Sequence, residues 1–201
     1  MGYLFSEEEM LPRKNALRDV VVSIFEPIET DIVKAMLSAG DDYLLLADKN
    51  PIARREHNFV TTTLHGLMIE KLSKISGVTL DNMINSSRST ILRIGSYLVW
   101  LKKLDKDGKP NINKTKTSAK RINQKAEGDD TQPMLILGYK LDDLQRIYHI
   151  SISYMEGDKH LWAPIDIGDK VASSLFISHS PSSEELDVKV RPKKRKNIEA
   201  I

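Results

Sequence analysis

The amino-acid sequence predicts an α+β fold, in which an N-terminal helical half packs on a C-terminal, mainly antiparallel β-sheet. Two changes in pattern indicate this. Apolar residues recur every three or four positions up to about residue 76, as in helices, and after residue 85 the period changes and segments rich in β-branched and aromatic residues follow, as in strands. Residues 1–168 are therefore predicted to form a single domain. The pattern fades after residue 168, and residues 169–201 are predicted to be a disordered, basic tail.

The helical half is predicted to contain three helices. The first opens at Leu11 and Pro12, carries apolar residues at helical spacing over residues 17–25, and ends at Pro27, because proline cannot continue a helix from its interior. Thr30 can cap a second helix, which Gly40 is expected to interrupt. The third and most regular helix is predicted over residues 54–75, where the apolar residues form one continuous stripe.

The β-rich half is predicted to begin with residues 89–104, as one long strand or as two short ones joined at Gly95. Residues 114–126 are polar and weakly helical. An antiparallel meander is then predicted over residues 134–141, 146–154 and 160–167. Pro164 places the last of these strands at a sheet edge, because proline has no N–H group for pairing.

The middle strand of this meander alternates between two kinds of side chain. Its apolar set, which is expected to face a packed core, is Tyr148, Ile150, Ile152 and Tyr154. Its polar set, which is expected to face a partly wet surface, is His149, Ser151 and Ser153.

The composition favours a cytoplasmic protein that is not in a membrane. The chain has no cysteine, which excludes disulfides, thiolate metal sites and cysteine nucleophiles. No apolar run approaches the roughly 20 residues that span a bilayer. The first ten residues are acidic, where a secretory signal would carry positive charge followed by an apolar stretch.

The motifs of common enzyme classes are missing from the sequence. Neither a phosphate-binding glycine loop, a nucleophile elbow nor an HExxH zinc motif occurs. The five histidines show no spacing typical of a metal site. We therefore predict that the chain has no resident metal and no cofactor.

Positive charge is concentrated between residues 102 and 125, where two acidic residues, Asp105 and Asp107, accompany nine basic ones. Lysines on a strand end and a loop can neutralise phosphates without reading a base sequence, and a tryptophan can stack on a base. These features predict a DNA- or RNA-binding surface made of Trp100, Lys102, Lys103, Lys106, Lys109, Lys114, Lys116, Lys120 and Arg121. The alternative is a solvated lysine loop with Trp100 in the core.

The strongest enzymatic alternative is a divergent or degenerate nuclease of the PD-(D/E)XK kind. In such sites carboxylates hold Mg²⁺ and a lysine assists the attacking water. Glu70, Asp81 and Lys103 occur in a suggestive order along the chain. However, Leu101 stands two positions before Lys103, where the motif requires a carboxylate. This departure favours a form that binds without cleaving.

Two stretches of the β-rich half carry distinctive motifs. One is KKLDKDGKP over residues 102–110, followed by Asn111, Ile112 and Asn113. The other is GYKLDD over residues 138–143, followed by a strand and by Leu161 and Trp162. Both resemble stretches of an uncharacterised family of bacterial and prophage proteins. The resemblance implies a bacterial or phage origin, and it implies neither an activity nor catalytic residues.

Together these observations favour a bacterial or phage accessory protein that binds nucleic acid through a lysine-rich loop. A protein-interaction module, antitoxin-like or phage-regulatory, is the alternative. In that case the helix over residues 54–75 and the basic tail would contact a protein partner.

Overall fold

A computed structural model describes residues 12–50, 56–81, 90–112, 115–126 and 131–168. It confirms the predicted α+β fold, with helices in the N-terminal half and a mainly antiparallel, six-stranded sheet in the C-terminal half. Three helices cover one face of the sheet, which we call the helical face, and a short helix and a small hairpin lie against the other, which we call the distal face. The predicted tail lies outside the described residues.

The helical half contains α1 (Arg18–Phe25), a 3₁₀ turn (Glu26–Ile28), α2 (Glu29–Lys49) and α3 (His57–Leu72). Pro27 lies in the first turn of the 3₁₀ segment, where a missing N–H leaves no hydrogen bond unmade. The first helix therefore ends where the proline predicts. Among the described residues, no helix combines the length and the apolar composition needed to cross a bilayer.

The predicted interruption of the second helix at Gly40 is wrong, because α2 runs without a break to Lys49. The buried stripe of α2 continues across the glycine, from Ile32 and Met36 to Tyr43. A Cβ atom at Gly40 would lie 3.4 Å from Ile147 Cδ1. The glycine therefore lets the helix pack closely on a strand, and this tertiary contact outweighs its low helix propensity.

The main sheet has the strand order β1-β2-β3-β4-β5-β8. The bounds are β1 (Val78–Leu80), β2 (Ile91–Ile94), β3 (Tyr97–Lys103), β4 (Met134–Leu141), β5 (Ile147–Ser153) and β8 (Ile165–Asp166). Two short strands, β6 (Met155–Glu156) and β7 (Lys159–His160), form a separate hairpin. The turn at Gly95, with φ +56°, divides the first predicted strand into β2 and β3.

The strand predicted over residues 160–167 is wrong as a single element. His160 belongs to β7, which pairs with β6, and Ile165 belongs to β8, which pairs with β5. The chain between these two strands is irregular and contains Pro164. Strand β8 is an edge strand, as the proline predicted.

The alternation predicted for β5 fails at both ends of the strand. The register between β4 and β5 shifts between Lys140 and Leu141, and Tyr148 at this bulge is 62% exposed instead of packed. Ser151 and Ser153, which were expected on a wet surface, are buried. Both faces of the sheet are therefore covered in this region.

The centre of the sheet is the parallel pair β3–β4, which is joined through helix α4 (Lys116–Ile122). This crossover brings α4 onto the distal face, where Leu98, Trp100 and Met134 form a second, smaller core. Leu104 folds over Gly138 so closely that a Cβ atom there would lie 2.6 Å from its methyl groups. Glycine at position 138 thus allows the chain after β3 to turn back over β4.

Candidate nucleic-acid interface

Helix α4 presents two chemically different faces. Its exposed positions Lys116, Ala119, Lys120 and Asn123 follow helical spacing and point outward, whereas Arg121 is 1% exposed and points toward the sheet. Thr115 caps the helix, because its hydroxyl oxygen accepts a hydrogen bond from the Ser118 N–H at 3.1 Å. Two of the predicted nucleic-acid-binding lysines are therefore exposed on one face of this helix.

The outward face of α4 borders two adjoining grooves. The first, which we call the main groove, has a volume of about 560 Å³ and lies between α4, the loop after β3 and the β6–β7 hairpin. Its lining includes Lys109, Pro110, Ile112, Lys116, Ala119, Ile122, Asn123, Met155 and Asp158. The second, which we call the side groove, shares Lys116, Ala119 and Asn123 with the main groove and adds Lys120, Lys125 and Glu156.

Charge on the groove walls is predominantly positive. Four lysines line the two grooves, namely Lys109, Lys116, Lys120 and Lys125, against two acidic residues, Asp158 and Glu156. A phosphate backbone that follows α4 across both grooves would meet all four lysines. Such contacts fix position and contribute affinity without reading sequence.

One buried residue, Gln124, holds the walls of the main groove together. Its Nε2 donates to the Met134 carbonyl at 2.9 Å and to the Met155 carbonyl at 2.8 Å, and its Oε1 accepts from the Met134 N–H at 3.1 Å. The Gly157 N–H also donates to the Ile122 carbonyl at 3.0 Å. The end of α4 is thereby joined both to the start of β4 and to the hairpin.

The loop after β3 forms the remaining wall and carries Lys106 and Lys109. Asp105 closes this loop, since its N–H donates to the Lys109 carbonyl and its Oδ1 accepts from the Lys109 N–H, both at 2.8 Å. The Lys106 carbonyl accepts a hydrogen bond from Lys140 Nζ at 3.0 Å. The loop is therefore an ordered wall that places Lys109 at the groove, while Lys106 is not among the lining residues.

Three of the predicted surface contacts belong to the interior instead. Trp100 and Arg121 are 2% and 1% exposed, and Lys102 is half-buried beside them. Lys102 Nζ lies 4.1 Å from the centre of the Trp100 ring, and Arg121 Cζ lies 5.6 Å from it. Trp100 therefore cannot stack on a bound base in this arrangement. It lies in the core, as the alternative interpretation of the sequence predicted.

Burial, and to a smaller extent the neighbouring Arg121 charge, lower the pKa of Lys102 from its usual 10.5 to about 8. Burial and the Lys102 charge likewise lower the pKa of His65. The attraction of Lys102 to the Trp100 ring offsets part of the cost of placing its charge there. Lys102 and Arg121 thus add positive potential beneath the lysines of α4.

The Lys102→Met variant is expected to be more stable than the wild type at pH 7, by on the order of 1 kcal/mol, because methionine keeps the packing without the charge. The folded protein holds the Lys102 proton less tightly than the unfolded chain does. Wild-type stability therefore rises relative to the variant between about pH 8 and pH 10.5. Urea unfolding of both proteins across this window tests the expectation. A stability difference that does not change with pH would contradict it.

The three residues of the nuclease alternative have separate surroundings. Glu70 is exposed on α3 and forms an ion pair with Lys74 at 2.7 Å, and this pairing lowers the pKa of its carboxyl group. Asp81 is buried after β1 and pairs with Arg93. Lys103 lies at the end of β3. Within the described ranges, no group of three or more acidic or histidine side chains is placed to hold a metal ion.

The sequence predicted part of this site and missed part of it. Lys109, Lys116 and Lys120 lie on the grooves as expected, whereas Lys114 lies outside the described residues. The missed residues include Asn123, Gln124, Lys125, Met155 and Asp158. Lys125 could have been found as the end of the basic segment. The rest depend on the contact between α4 and the hairpin, for which the sequence carries no local signal.

Comparisons of this chain with protein-family models, with curated proteins and with solved structures found no match in any of the three. The resemblance to bacterial and prophage proteins therefore stays a prediction.

Proposed function

We propose that this chain is a bacterial or phage accessory protein of the cytoplasm that binds the sugar-phosphate backbone of a nucleic acid along α4. The observation that carries the proposal is the arrangement of Lys109, Lys116, Lys120 and Lys125 around two adjoining grooves. Ammonium groups can neutralise the negative charge of phosphates. Because they come from a loop, a helix and the turn that follows it, the pattern requires the fold and is more than a run of charge in the sequence.

Electrostatic binding of this kind has a measurable signature. Each phosphate that a lysine neutralises releases counterions, so the observed association constant falls steeply as salt is added. The lysines of the protein and the phosphates of the nucleic acid carry opposite charges, and their attraction also favours fast association. The proposal therefore predicts a salt-dependent affinity with little preference among base sequences.

The test is a fluorescence-anisotropy titration of labelled DNA and RNA with the full chain over a series of salt concentrations. The Lys116→Gln/Lys120→Gln double variant is expected to lower the slope of log K against log salt by about 1.8 on duplex DNA, or about 0.9 for each lysine. Its affinity at low salt should fall in parallel, because both side chains are exposed and lie next to each other on α4.

A matched control is the Lys34→Gln/Lys49→Gln double variant, which removes two exposed lysines from α2 on the other side of the sheet. It carries the same net charge as the α4 variant and should bind as the wild type does. Equal losses in the two variants would show that net charge alone acts, and the proposed surface would be wrong. If the wild type binds neither DNA nor RNA, the proposal fails, and the next hypothesis to test is that the chain binds a protein partner.

A further inference from the structure

The main groove has properties that phosphate binding alone does not require. Its volume of about 560 Å³ falls within the range of about 300–1,000 Å³ that is typical of small-ligand sites. A phosphate backbone needs only a row of exposed charges and no concavity. The groove can therefore hold a further part of the nucleic acid that the proposed function brings to α4.

The lining of the main groove is largely apolar. Pro110, Ile112, Ile122 and Met155 contribute to it, beside Lys109 from the loop after β3 and Lys116 from α4. A base pair in a duplex presents only its edges and the backbone to a protein, whereas an unpaired base presents two flat apolar faces. The apolar lining beside the lysines thus matches an unpaired base better than it matches a duplex.

The polar groups of the lining are distributed in a way that orients such a base. Asp158, at the tip of the hairpin, repels phosphates and can accept hydrogen bonds from the amino group of a base. The Asn123 side chain offers both a donor and an acceptor next to Gly157. Phosphates would therefore lie on the side of Lys116 and Lys120, with the edge of the base turned toward the hairpin.

Hydrogen bonds within the chain hold the walls of the groove together. Gln124 connects α4 to β4 and to the hairpin, and the Gly157 N–H fixes the hairpin tip on the Ile122 carbonyl. Binding would therefore not have to order these walls, which removes one of the common costs of association.

We propose that the main groove takes an unpaired base, so that the chain binds single-stranded nucleic acid in preference to duplex, with the backbone held by the lysines of α4. This inference rests on the proposed function, to which it adds the class of nucleic acid. Burial of the apolar face of one base should give the single strand an advantage of about fivefold or more over a duplex of equal length.

The experiment uses the full chain and oligonucleotides that carry the fluorescent base 2-aminopurine, whose emission is quenched by stacking. The described lining of the main groove contains no aromatic side chain. Insertion of the base should therefore unstack it from its neighbours without new quenching, and its fluorescence should rise on binding. Titrations with the single strand and with the matching duplex at one salt concentration give the ratio of affinities.

The Ala119→Leu variant separates the groove from the charges. Ala119 lines both grooves on the exposed face of α4, and leucine fills space there without weakening the helix or adding an aromatic ring. We expect the variant to lose the fluorescence rise and the single-strand preference while it keeps the salt slope of the wild type. Thr62→Leu on the exposed side of α3 adds an equal side chain elsewhere and should change nothing.

The outcomes distinguish the two proposals. If the wild type binds duplex as tightly as single strand, with no rise in fluorescence, the inference about the base is overturned and backbone binding by the lysines stands. If Ala119→Leu keeps both the preference and the rise, the base does not enter the main groove and the inference is also overturned. If no nucleic acid binds at any salt concentration, the proposed function fails and this inference fails with it.

Discussion

Replacement of Asp81 by alanine is expected to lower the free energy of unfolding by about 3 kcal/mol or more. The Asp81 side chain is 2% exposed, and its carboxylate accepts a charged hydrogen bond from the Arg93 guanidinium group. Arg93 also donates to Gln132, so the same guanidinium group joins residues from three parts of the chain. Without the carboxylate, a mostly buried positive charge loses this negatively charged partner. Urea unfolding at pH 7 measures the loss.

Two controls determine what this loss means. Glu70→Ala removes the carboxylate of an exposed ion pair on α3 and should leave the free energy of unfolding close to that of the wild type. Arg93→Met, introduced into the Asp81→Ala protein, removes the buried positive charge and should recover part of the stability. If Asp81→Ala and Glu70→Ala cost the same, the pairing with Arg93 is not a main contribution to stability. Loss of an activity in an Asp81 variant would thus not by itself identify a metal ligand.

Replacement of Gln124 by alanine is expected to cost about 3 kcal/mol and to weaken nucleic-acid binding at the same time. Three hydrogen bonds disappear, and the backbone groups of Met134 and Met155 that they satisfy are left without these partners in the interior. The end of α4 is then no longer joined to β4 and the hairpin, so the two walls of the main groove can separate. Urea unfolding and the anisotropy titration report the two effects.

Gln145→Ala is the matched control for this variant. Both glutamines adopt a positive φ, 52° at Gln124 and 65° at Gln145, so the backbone strain that alanine brings is similar in the two variants. Gln145, however, accepts a hydrogen bond from the Tyr43 hydroxyl at 2.6 Å, lies in the β4–β5 turn and does not line either groove. We expect about 1 kcal/mol of destabilisation and unchanged binding. Weaker binding in the Gln145 variant as well would show that the effect is a general loss of folded protein.

Most of the fold could be predicted from the sequence because its elements follow local rules. Pro27 marks the end of α1, Gly95 divides β2 from β3, and the apolar run of residues 134–141 gives the bounds of β4. The errors occur where a tertiary contact outweighs a local preference. Gly40 remains helical because Ile147 packs against it, and Tyr148 turns outward because of a bulge in the pairing with β4.

The positive charge of the candidate nucleic-acid interface could be predicted from the sequence, but the shape of its two grooves could not. A cluster of lysines is visible in the sequence, but which of them reach the surface depends on the side of the strand or helix that each occupies. Lys102 lies next to Trp100 on the distal face of β3, and Arg121 lies on the inner side of α4. The grooves themselves depend on the contact of the hairpin with α4, which brings Gly157 to Ile122.

The parallel pairing of β3 with β4 has a consequence for the order in which the molecule assembles. The antiparallel pairs β2–β3 and β4–β5 join strands that are close in sequence, so they can form early. Pairing of β3 with β4 instead brings together residues that are far apart in sequence, such as Leu98 and Met134, with the α4 segment between them. The grooves form only after this long-range pairing, because α4 connects β3 to β4 along the chain and is held on the sheet only when the two strands have paired. A ligand that fits them should therefore slow unfolding without accelerating folding, and its benefit would appear as a longer lifetime of the folded chain.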